Sequence, residues 1–104
     1  MKNKITILYI PCPDVRLAKK IGLKLLTEKL AACVQTFPVS SAYPWNGKIE
    51  NANEIALIVK TISKKVAKAK SIIRKNHSYE IPCIIQSTAS VNKEYYNWMK
   101  KEMD

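Results

Sequence analysis

Glycine occurs twice in the 104 residues, histidine once, phenylalanine once and arginine twice. Each shortage excludes something. With glycine only at positions 22 and 47, no glycine-rich loop can cradle a phosphate, and no GxSxG or HExxH motif is present. One imidazole, His77, is the only side chain that titrates unperturbed near neutral pH, and no residue is marked out as its catalytic partner. The expectation is a protein that is not an enzyme. No apolar run approaches the roughly 20 residues that cross a bilayer. The apolar stretch Ile5 to Ile10 leads into Pro11-Cys12-Pro13-Asp14 without a small-residue cleavage site. A cytoplasmic protein that meets no membrane is expected.

What is present is lysine. Eighteen basic residues against eight acidic ones give a net charge of +10. Recognition of base edges favours the planar guanidinium, and only Arg16 and Arg74 supply one. The lysines therefore read as solvated faces, with no specific nucleic acid as partner, although a small anionic ligand suits the charge. Hydrophobic residues at 47% suffice for one packed domain over residues 1–104. The three cysteines cannot all pair within one chain and show no CxxC spacing. Cys33 and Cys83 lie in apolar runs and read as buried thiols. Cys12, between two prolines, reads as a loop thiol open to solvent and to a soft metal.

Residues 4–10 are β-branched and aromatic and predict a first strand ended by Pro11 and Pro13, with Asp14 capping a helix over Val15–Ala32. That helix places Ala18, Ile21, Gly22 and Leu25 on one face. Residues 33–45 predict a long strand interrupted by Pro38 and Pro44, each implying an edge position or a bulge. Asn46-Gly47 predicts a tight hairpin turn, and the return strand runs from Lys48 to Ile62. Ser63 then caps a helix reaching Asn76 with Val66, Ala69 and Ile73 inward, a strand follows over Ile81–Thr88, and Asn92–Glu102 forms a last helix. The order β-α-β-β-α-β with a C-terminal helix is the split-βαβ, ferredoxin-like α+β plan. A 13-residue strand spans roughly 43 Å, too long for a compact domain of this size. The hairpin must bend or project, and its edges then need partners.

Several segments carry a resemblance. Lys29-Leu30-Ala31-Ala32-Cys33-Val34-Gln35, Tyr43-Pro44-Trp45-Asn46-Gly47-Lys48-Ile49-Glu50, Glu54 followed by Ile58 to Thr61, and His77-Ser78-Tyr79-Glu80-Ile81-Pro82 are similar, in order and spacing, to segments of the CutA divalent-cation tolerance family. Cys12-Pro13-Asp14 and Tyr95 to Met99 fall where that family has matching residues. The resemblance implies a homotrimer with PII-like architecture, a role in tolerance of copper and other divalent metals, and weak Cu²⁺ binding with no required cofactor. Some members offer a strand-end Cys and a His-His pair as copper ligands. Here Ile10 and Asn76-His77 stand in those places, leaving His77, with Cys12 as a substitute, as metal candidates. Tyr43, Trp45, Lys48, Glu50, Lys60, Tyr79 and Glu80 are the candidates for an inter-subunit interface or ligand cleft. The alternative to a metal role is a small-ligand sensor or interaction module that uses such clefts.

Overall fold

The computed structural model describes residues 3–104. It contains strand β1 (Lys4–Cys12), helix α1 (Val15–Thr27), strands β2 (Cys33–Trp45) and β3 (Lys48–Thr61), a 3₁₀ turn at Ser63–Lys65, helix α2 (Val66–Asn76), strand β4 (Ile85–Ser90) and helix α3 (Lys93–Glu102). The strands form one antiparallel sheet in the order β2-β3-β1-β4. This is the ferredoxin-like arrangement, with the two proline-bearing halves of β2 on an edge.

Alternation along the strands sorts the core. Leu8, Ile10 and Cys12 of β1 and Leu57 and Val59 of β3 face α1 and α2 and pack with Ala18, Ile21, Leu25, Ala69 and Ile73. The apolar faces read from the helical periodicity are the buried ones. Gly22 lies so close to Val34 that an added Cβ would meet its methyl at 3.0 Å, so α1 can approach the sheet here only without a side chain. A second cluster, Ile5, Ile62, Met99 and Met103, seats α3 at one end of the molecule.

The other sheet face is only partly covered. Tyr9 pairs with both Ile58 and Ile85, and Phe37 pairs with Ala56, so these side chains share the face turned away from α1 and α2. Phe37 and Ile85 are 43% and 53% exposed. The β2–β3 hairpin carries that face outward, giving extents of 46 × 25 × 21 Å. Asn46 and Gly47 both have positive φ, 51° and 78°, as a two-residue type I′ turn requires.

The structure corrects four sequence expectations. Helix α1 stops at Thr27, and Lys29 takes a positive φ of 57° rather than continuing it. Ser63 opens a 3₁₀ turn and makes no side-chain cap. Strand β4 starts at Ile85, not Ile81, because Pro82 brings no N–H to a ladder. Pro11 does not end β1: the strand continues through Pro11 and Cys12, paired with Ala56 and Ile55. The reason lies in the ladder. β4 reaches along β1 only to Tyr9, so Pro11 occupies a stretch of β1 that is an edge on that side, where a proline is tolerated.

Candidate functional site

The end of α2 fills the place that β4 leaves vacant beside Pro11. The backbone N–H of His77 closes α2 on the carbonyl of Ile73. Its imidazole Nε2 then donates to the Pro11 carbonyl at 2.8 Å, as a strand neighbour would. Nδ1 accepts the backbone N–H of Tyr79 at 3.1 Å, which fixes the tautomer with the proton on Nε2. The His77 and Tyr79 rings lie 4.7 Å apart, and the Tyr79 hydroxyl donates to Glu54 at 2.5 Å. Burial, and then this bond to the Glu54 carboxylate, push the Tyr79 hydroxyl well above the usual phenol range. Glu54 is 6% exposed and is held by that hydroxyl.

Tyr79 and Glu54 wall a cleft of about 670 Å³ on the sheet face opposite α1 and α2, running along the hairpin. Tyr43, Trp45 and Glu50 come from the hairpin, Glu80, Ile81 and Cys83 from the loop after α2, and Pro11 from β1. Of the seven interface or cleft candidates, the structure brings together Tyr43, Trp45, Glu50, Tyr79 and Glu80. It leaves out both lysines. Lys48 pairs with Trp45 at the hairpin tip but does not line the cleft, and Lys60 lies 5.4 Å over the Tyr95 ring. The lining thus holds three carboxylates and no basic residue, a set whose charge suits a cation. Sequence reading passed over Glu54 as a site residue. Its signal was a carboxylate next to the apolar run Ile55 to Val59.

The two metal candidates are placed but not presented. Both His77 nitrogens are engaged within the chain. Cys12 is fully buried rather than in an open loop, donates its S–H to the Ile10 carbonyl at 3.7 Å, and is pushed up to about 11, first by burial and then by Glu54 and Asp14. Thiolate is the ligand form, and this thiol is held protonated. Cys83, expected inside, is exposed, and Cys33 is half-buried. No group of three or more His, Cys, Asp or Glu side chains converges on a metal position among the described residues.

Cys12 makes a pH prediction. The folded thiol titrates near 11 against 9.0 for the ordinary thiol, so the unfolded chain gives up its proton first as pH rises. The contribution is complete below pH 9 and lost through pH 11. Between these limits the wild type is expected to lose about 2–3 kcal/mol more stability than Cys12→Ala, followed by urea unfolding. An identical pH dependence in the two proteins contradicts this placement.

A four-stranded ferredoxin-like sheet, an overlong hairpin and an acid-lined cleft along it define a class of small α+β proteins, and among the described residues no helix is long and apolar enough to cross a bilayer. The model of the family described as CutA1 divalent ion tolerance protein matches residues 6–102. The chain belongs to that family. It is 41% identical over 98 residues to the divalent-cation tolerance protein CutA of Archaeoglobus fulgidus, covering 93% of this chain and 96% of the relative. It is 31% identical over 101 residues to the human protein CutA, of which it spans 56%. Among solved structures, the A. fulgidus protein, described as periplasmic, superposes with a TM-score of 0.92 at 40% identity over 96% of this chain and 99% of that one. CutA1 from Ehrlichia chaffeensis superposes with a TM-score of 0.93 at 31% identity, over 100% of this chain and 99% of that one.

Proposed function

We propose that this protein serves divalent-cation tolerance in the cytoplasm as a non-catalytic, PII-like homotrimer with only weak Cu²⁺ binding. The observation that carries the assembly is the uncovered sheet face. Tyr9, Phe37, Ile58 and Ile85 share it, and the hairpin extends it with Tyr43 and Trp45, which are 39% and 42% exposed. A contiguous apolar face of this kind marks an interaction surface. Strands β2 and β4 both present free edges to a neighbouring sheet. The three unpaired cysteines suit a reducing compartment.

Weak metal binding follows from the chemistry of the donors. Cu²⁺ takes neutral imidazole nitrogen and oxygen donors. To reach His77 it has to displace either the Pro11 carbonyl or the Tyr79 N–H, and Cys12 offers a protonated sulfur. A Cu²⁺ titration followed by calorimetry at pH 7.5 is expected to give a dissociation constant weaker than about 1 μM. Nanomolar binding at one site per chain contradicts the proposal.

The cleft supports a second reading, a small-ligand sensor. Its volume is that of a small-molecule pocket. Its aromatic rings and carboxylates select an organic cation over the anionic metabolites that the net charge suggests. A thermal-shift screen of amines beside organic acids separates the two: stabilisation by acids alone contradicts this reading.

A further inference from the structure

The charge of this protein is segregated by layer. Between Val15 and Thr27 and between Ser63 and Asn76 the chain carries ten basic residues and no acidic one. The other eight basic residues are matched by all eight acidic residues, so the whole excess of +10 belongs to the helical layer. A bias toward lysine in the whole composition would raise the charge of every exposed segment. It does not account for the rest of the chain being neutral in sum while two helical segments hold the entire excess.

Arg16, Lys19, Lys20 and Lys24 of α1 are exposed, as are Lys64 and Lys68 at the start of the second helical segment. Lys24 and Glu28, 3.8 Å apart, form the one salt bridge among the described residues. The remaining cations of the layer have no acidic partner there. This layer lies on the opposite side of the sheet from the hairpin aromatics and the apolar face. Assembly through that face leaves the cations outermost.

We infer that the outer face of α1 and α2 binds the phosphate backbone of duplex nucleic acid without regard to sequence. Three features select this occupant. First, α1 is about 20 Å long, and the same length of duplex carries about twelve phosphate charges, enough to engage the exposed cations of the layer. Second, neither helical segment contains an aromatic residue, which removes the stacking platform that single strands require. With Arg16 and Arg74 as the only guanidinium groups, bidentate reading of guanine is minimal, so contacts go to the backbone. Third, a membrane-surface helix inserts its apolar face into lipid. Here those faces, Ala18, Ile21 and Leu25 on α1 and Val66, Ala69 and Ile73 on α2, are already spent in the core.

The test uses the full chain and a fluorescein-labelled 20-base-pair duplex, read by anisotropy. Binding is expected at 50 mM salt, and affinity is expected to fall at least about a hundredfold by 200 mM as counterions are released. The triple variant Lys19→Glu, Lys20→Glu, Lys68→Glu is expected to bind at least tenfold more weakly. A control with the same change in net charge, Lys93→Glu, Lys100→Glu, Lys101→Glu on α3, is expected to stay within threefold of wild type. Circular dichroism melting confirms that both variants fold. Equal losses in the two triple variants overturn the inference, because the effect is then one of net charge and not of this face. No duplex binding at 50 mM salt overturns it too, as does binding to phosphatidylglycerol vesicles by a protein that ignores the duplex.

Discussion

His77→Ala is expected to lower the stability of the metal-free protein substantially. The imidazole bonds two half-buried backbone groups, the Pro11 carbonyl beyond the end of β4 and the Tyr79 N–H after α2. A buried group left without its hydrogen bond costs about 1–3 kcal/mol, and two are released at once. At about 4–8 °C per kcal/mol for a domain of this size, the thermal midpoint should fall by about 8 °C or more. Tyr79 then also loses the ring tilted against it, and the Glu54 contact loosens with it. The measurement is a melt in the presence of a chelator. An unchanged midpoint together with abolished Cu²⁺ binding would mean that His77 is there for the metal and not for the fold.

Trp45→Ala is expected to weaken self-association by at least about thirtyfold. Trp45 closes the hairpin on the face that Tyr43 and Phe37 continue, and an aromatic anchor at the centre of an interface contributes about 2 kcal/mol or more. Lys68→Ala, on the exposed outer layer, should change association by less than threefold, because exposed lysines contribute about 0–1 kcal/mol. Sedimentation across a dilution series measures both. Equal effects of the two substitutions would place the interface elsewhere.

The pattern of the sequence was sufficient for the sheet and both core helices because each has a period that only one partner satisfies. Ala18, Ile21, Gly22 and Leu25 recur at helical spacing, and Asn46-Gly47 fixes the register of 13 paired residues at a stroke. What escaped was set by neighbours distant in the chain. Pro11 reads as a strand terminator until β4 is seen to stop at Tyr9, which turns the last residues of β1 into an edge. Cys12 was placed in solvent for the same reason, yet the strand carries it into the core opposite Ile55. Lys48 and Lys60 share the hairpin strand with Glu50, but position along a strand does not say which groups converge. The cleft is completed by a loop returning from α2, whose Tyr79 hydroxyl bonds the Glu54 carboxylate in its wall.

The claim on which the functional account depends is self-assembly through the uncovered sheet face and the hairpin. Its direct test is the solution mass by light scattering at micromolar concentration, repeated after tenfold dilution. The account predicts three times 11.8 kDa at both concentrations. A mass of 11.8 kDa would contradict it.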